Sequence, residues 1–152
     1  MQYTSHRFTT VGARTSKEEV SRHHSKSASV RTVLAAYSKL IRFDHYLTRA
    51  DFAGLYQIVR MFPLAQTAIE PDAIDRLCHA VDLACIWYWK EVLCLQRSAA
   101  TTCLLRSCGI PARMVLGVQQ TPFRAHAWVE ANGEIVNEKP YMRDLYMVIE
   151  IC

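Results

Sequence analysis

The six cysteines of the chain (Cys78, Cys85, Cys94, Cys103, Cys108, Cys152) include no C-x-x-C pair, which argues against a zinc ribbon or a thioredoxin-like redox motif. There is no G-x-x-x-x-G-K-S/T loop, so no phosphate cradle for direct ATP use is visible. The polar and basic first residues carry no apolar stretch of the kind a secretory signal requires. A reducing cytoplasm is therefore the expected compartment, with most thiols free and buried. The most apolar stretch, Leu77 to Leu95, is interrupted by Asp82, Lys90 and Glu91, so no membrane span is expected. The formal net charge is +4, with no basic cluster of the kind nucleic acid requires, although it suits an acidic peptide. Neither a metal nor a cofactor is expected.

What is present fits one domain with a real core: 152 residues, of which 51% are hydrophobic. Residues 1–28 are rich in Ser, Thr, His, Arg and Lys and read as a disordered basic arm, leaving 29–152 as the domain. Within it, Val30, Val33, Leu34, Tyr37, Leu40 and Ile41 recur at helical spacing up to Arg42. A second stripe runs from Phe52 to Phe62 and stops at Pro63; a third runs from Ile74 to Tyr88. Pro71 suits the first turn of that third helix, and Asp72 and Asp75 suit its positive end. Residues 95–108 read as a helix closed by Gly109 and Pro111. Strands are expected over Arg113–Val118, Ala125–Glu130 and Glu134–Glu138, the last two joined by Ala131-Asn132-Gly133. Helices followed by strands give an α+β class.

Cys94 stands just before the helix of 95–108. The partial positive charge of a helix N-terminus favours thiolate, and the unpaired amides of its first turn can receive an oxyanion. The bland reading is a small buried residue. Cys78, Cys85, Cys103 and Cys108 fall on helical stripes or at a helix end and read as core. His126 lies in a strand pattern, on one face with Trp128 and Glu130. A catalytic imidazole needs an orienting group, and the hairpin leaves two choices. A two-residue turn at Asn132-Gly133 puts Asn137 on the His126 face; a three-residue loop puts Glu138 opposite His126.

Three segments together resemble a known family: Cys94-Leu95-Gln96-Arg97-Ser98, then Leu104 to Arg113, then Pro122-Phe123-Arg124-Ala125-His126-Ala127-Trp128-Val129-Glu130. They are similar to the leader-peptidase half of lasso-peptide biosynthesis B proteins, strongly over about residues 90–140. The resemblance implies a transglutaminase-like, papain-like core, with a catalytic Cys at a helix N-terminus packed on a small antiparallel sheet. It implies a cysteine protease that removes the leader of a ribosomally made precursor peptide. Cys94 matches the nucleophile and His126 the base. Glu138 stands where the family usually has Asp, which favours the three-residue loop, with Asn137 the alternative third member. Gln96, Trp128 and Phe123 are candidates for the oxyanion site or substrate cleft; Arg97 and Arg113 could bind substrate, with an exposed or locally paired arginine the blander reading. The implied partners are the precursor, a separate leader-binding protein and an asparagine synthetase-like cyclase. The rival readings are an acyltransferase using the same residues and a non-catalytic scaffold.

Overall fold

The fold is taken from a computed structural model that describes residues 28–70 and 72–152. The expected arm lies outside the described residues apart from Ala28, and Pro71 lies outside them too.

Helix α1 (Val30–Thr48) starts at Ser29, whose hydroxyl accepts the Thr32 N–H at 3.2 Å. It runs a turn and a half past the expected end at Arg42. Its buried line is Ala36, Leu40 and Phe43, while Val30, Leu34 and Ile41 of the expected stripe face solvent. Small Ala36 sits on the buried line, so apolarity alone misplaced the contact face by part of a turn. Helix α2 (Phe52–Met61) begins at Asp51, whose carboxylate accepts the Gly54 N–H at 2.9 Å. Helix α3 (Ala73–Ile86) buries Leu77, Ala80, Val81 and Ala84. Asp75 lies in its first turn as expected; Asp72 precedes it in the left-handed region, with no side-chain cap.

Helix α4 (Cys94–Ser107) is the centre of the fold, with Gln96 and every residue from Ser98 to Leu105 buried. A helix apolar or small on all sides belongs inside, and here α1 and α3 pack on it from one side and the sheet from the other. It closes at Gly109 with φ +81°, where a Cβ would meet the Thr67 carbonyl oxygen at 2.8 Å.

Strands β1 (Ala112–Gln119), β2 (Arg124–Ala131), β3 (Glu134–Ile135) and β4 (Met147–Ile151) form an antiparallel sheet in the order β3-β2-β1-β4. A short helix α5 (Met142–Leu145) precedes β4. The α+β class and a helix packed on a small antiparallel sheet are thus as expected; α5 and β4 had no counterpart in the sequence reading. Among the described residues no helix is long and apolar enough to cross a membrane.

The pleat gives the sheet two different faces. Ala112, Met114, Val129 and Ala131 join the helical core. On the other face the cross-strand partners are Arg113↔Glu130, Val115↔Trp128 and Gly117↔His126. The Glu130 carboxylate, itself buried, accepts from Arg113 (2.8 and 3.0 Å), Arg143 (2.8 Å) and the Trp128 indole (3.2 Å). Arg143 thereby ties the α5 segment down over Trp128. Burial alone would raise the proton affinity of Glu130; hydrogen bonds from Arg143, Trp128 and Arg113 overcome it and hold the carboxyl below its ordinary value.

Glu130→Gln should therefore cost about 2 kcal/mol, the scale of hydrogen bonds to a charged group, because both arginines can turn to solvent when the charge is removed. Thermal melting should register this as a midpoint lower by about 8 °C. A depressed carboxyl stabilises above its unfolded value and loses that contribution as pH falls through its folded value. The gap between wild type and Glu130→Gln should thus close on acidification; a gap constant from neutral to strongly acid pH would show that the charge is not what stabilises this face.

Candidate active site

Leu93 is extended (φ −73°, ψ 152°) and Cys94 is the first helical residue of α4, which starts one residue earlier than expected from sequence. The first helical hydrogen bond is Arg97 N–H to the Leu93 carbonyl at 2.9 Å, so the amides of Cys94, Leu95 and Gln96 precede the ladder. These are the donors of the helix's positive end.

How this helix end reaches the sheet follows from the shortness of β3. The ladder of β3 with β2 holds Glu130↔Ile135 and Ala131↔Glu134, one further backbone bond runs from the Val136 N–H to the Val129 carbonyl at 3.0 Å, and residues 136–138 bend away. The edge of β2 beyond that point needs other partners. The Val129 N–H donates to the Asn137 side-chain oxygen at 2.7 Å. Ser98 donates to the Ala127 carbonyl at 2.9 Å, and the Ala127 N–H hydrogen-bonds the Cys94 sulfur. Cys94 and Ser98 are four residues apart and so lie on one face of α4. The first turn of α4 thus takes the place of a missing strand, which brings the sulfur beside His126, the residue before Ala127.

The Cys94 thiol and the His126 imidazole face each other, each the strongest influence on the other's proton affinity. His126 Nε2 lies 3.5 Å from Glu138 Oε1, the separation of an ion pair rather than of a formed hydrogen bond, and this buried nitrogen has no other partner. The hydrogen bond from His126, with lesser help from the Ala127 and Leu95 amides, holds the Cys94 thiol below its ordinary value against the opposing effect of burial. The same bond to Cys94, aided by the charge of Glu138, raises the imidazole. Burial instead pushes up Cys85 and Cys152, and pushes Cys78 to about 12 and Cys103 to about 11. The arrangement therefore places a thiol of lowered proton affinity against an imidazole of raised proton affinity at a helix N-terminus, facing a carboxylate.

The sequence from 40 to 150 matches the description of the Transglutaminase-like superfamily. The chain belongs to the transglutaminase-like superfamily. It is also 45% identical over 56 residues to the microcin J25-processing protein McjB of Escherichia coli, a stretch that makes up 37% of this chain and 27% of that protein. The chain therefore aligns with only about a quarter of that relative's length. The resemblance read from the motifs is thus borne out at the level of the superfamily, with a partial match to a microcin-processing protein. No solved structure gives a significant match.

Within this transglutaminase-like core the other sequence candidates are placed as follows. The expected three-residue loop is not formed: Ala131 pairs with Glu134, and Asn132 (φ 53°) and Gly133 (φ 84°) make a two-residue turn. Glu138 still faces His126, because strand alternation ends at Ile135 and the chain bends before reaching it. Asn137 is taken up structurally, bonding the Val129 amide and donating to Ser98 Oγ at 3.1 Å. Gln96 is corrected as an oxyanion candidate: its side chain is buried and its amide donates to the Leu40 carbonyl of α1 at 3.0 Å. Only its backbone N–H stays in the N-terminal turn. Trp128 is fully buried and packs across Gly117, where a Cβ would meet the indole at 2.8 Å, so it shapes the sheet under His126. Phe123 is 76% exposed in the loop leading into β2, free to touch a substrate. Arg113 pairs with Glu130, and Arg97 with Asp82 and Glu138. The sequence reading gave no role to Ser98 or to Tyr146, whose ring lies 5.6 Å from that of His126. Ser98 was legible as the fourth residue after Cys94; Tyr146 had no local signal.

Proposed function

We propose that this chain is a cysteine peptidase that removes the leader from a lasso-peptide precursor, with Cys94 as nucleophile, His126 as base and acid, and Glu138 as the group that orients the imidazole. The observation that carries this reading is the placement of Cys94, at the N-terminus of α4, against His126, with Glu138 3.5 Å from the same ring. The partial match to a microcin-processing protein supports a peptide substrate.

The thiolate attacks the carbonyl carbon at the leader–core junction, and the carbonyl π pair moves to oxygen. The amides of the first α4 turn are the donors for that oxyanion. The imidazolium gives its proton to the leaving nitrogen, which becomes the amino terminus of the core peptide. Water, deprotonated by the neutral imidazole, then attacks the thioester and releases the leader acid and the thiol. We assign the reaction to a reducing cytoplasm, where a separate leader-binding protein presents the precursor and an asparagine synthetase-like cyclase consumes the freed amine.

Mass spectrometry of the precursor incubated with this chain and a leader-binding protein tests the assignment. The expected products are leader acid and free core. A cross-linked or amidated product would make the chain an acyltransferase, and an unchanged precursor would make it a scaffold. Glu138→Ala should lower the single-turnover rate roughly a hundredfold. Asn137→Ala should leave the rate nearly intact but cost about 1–3 kcal/mol of stability, since the Val129 N–H loses its acceptor. The reverse ranking in the rate would assign the third role to Asn137.

A further inference from the structure

We propose that Arg97 is a positioning residue that fixes Glu138 against His126 and is itself anchored by Asp82. This rests on the peptidase reading for its purpose but not for its geometry.

Glu138 lies in the bent segment after β3, outside the ladder of that strand, and its side chain has three rotatable bonds. A free glutamate there would have many rotamers that miss the imidazole. The guanidinium of Arg97 supplies the constraint. One arm, NH1, lies 3.5 Å from Glu138 Oε1, the same oxygen that faces His126 Nε2 at 3.5 Å. The other arm, NH2, donates to Asp82 Oδ1 of α3 at 2.7 Å. The planar fork thus engages two carboxylates at once, in a way a point charge cannot.

Position in the helix explains why this residue is available. Arg97 is three residues after Cys94, so both project from the same side of α4. Asp82 matters for the sign of the effect. A lone cation beside Glu138 would compete with the imidazolium for its charge. The shorter contact to Asp82 offsets the Arg97 charge and leaves that of Glu138 to the ring. Charges then alternate from Asp82 through Arg97, Glu138 and His126 to Cys94. Without Arg97, Asp82 and Glu138 would face each other uncompensated and Glu138 would move away. The groups facing His126 are Cys94 from α4, Glu138 from the bend after β3 and the Tyr146 ring from the segment before β4.

Two measurements on the full chain test this. His126 ring resonances, assigned by difference from His126→Gln, are titrated by NMR, which needs no substrate. In Arg97→Ala the imidazole midpoint should fall toward that of Glu138→Ala, and Arg97→Lys should lie between wild type and Arg97→Ala. In single-turnover cleavage, Arg97→Ala should lose roughly tenfold to a hundredfold in rate, as expected for a misplaced catalytic group. In a Glu138→Ala background it should cost nothing more, because both changes remove one function. A midpoint that holds or rises, or rate losses that multiply, would overturn the proposal. If Arg97→Ala does not fold, Arg97→Lys and Asp82→Asn are read in the same way, with lowered midpoints expected and unchanged ones overturning it. If wild type fails to cleave any precursor, the peptidase reading fails, while the NMR titration still decides the role of Arg97.

Discussion

Cys94→Ala should give a folded chain that leaves its precursor uncut, with the single-turnover rate down by roughly 10⁴-fold or more. Alanine suits the first turn of a helix, and the half-buried sulfur fills no deep core position, so the melting midpoint should stay within a few degrees. The chemistry has no substitute. A water molecule could still find the helix-end amides, but no group would remain to form the thioester. Four of the other thiols are held back from taking over, because burial raises Cys78, Cys85, Cys103 and Cys152 away from thiolate, and Cys108 stands at the opposite end of α4 from Cys94. The same contrast makes a second readout. Iodoacetamide at neutral pH should label wild type first at Cys94, and Cys94→Ala should lose that fast phase. A Cys94→Ala protein that still separates leader from core would sink the assignment, and equal labelling of all thiols would favour a scaffold.

How far the sequence reached can be seen in individual elements. Helix α4 was legible because its small residues, Gly109 and Pro111 mark its extent; each end lies one residue earlier than expected, at Cys94 and Ser107. The stripe on α1 was half misread, because Val30, Leu34 and Ile41 look like core yet face solvent, while Ala36 carries the close contact. Strand β4 escaped notice because its apolar run, Met147 to Ile151, has neither alternation nor a flanking turn signal, and its pairing with β1 is a long-range event. In the site, Cys94 and His126 were legible from local pattern and motif. Their juxtaposition was not, since it depends on β3 stopping after Ile135 so that α4 can cap the β2 edge. Glu138 was found by motif and reached by a different path than the register argument supposed, because that argument extended a strand which the Asn137 side chain ends. Arg97 was read as a paired residue and is one, but the identity of its partners depends on α3 and on the bend after β3.

His126→Ala should remove catalysis almost as fully as loss of the sulfur, by roughly 10³–10⁴-fold, and should also change the sulfur that remains. The hydrogen bond from His126 is the largest influence lowering the Cys94 thiol, and burial is the main influence opposing it. Without the imidazole, burial acts against only the Leu95 and Ala127 amides, and the thiol moves up. Alkylation of Cys94 in mildly acid solution should therefore slow sharply in His126→Ala and recover only as pH rises. The wild-type cleavage profile follows from the same pair. Activity needs thiolate and imidazolium together, so kcat/KM rises as pH passes the lowered Cys94 value and falls as pH passes the raised His126 value, giving a plateau wider than two unperturbed groups would allow. Glu138 supports the imidazolium, so Glu138→Ala should pull in the alkaline limb and leave the acid limb nearly in place. Alkylation of Cys94 with the same pH dependence in wild type and His126→Ala would mean that sulfur and ring do not communicate, and the reaction assigned to them would have no base.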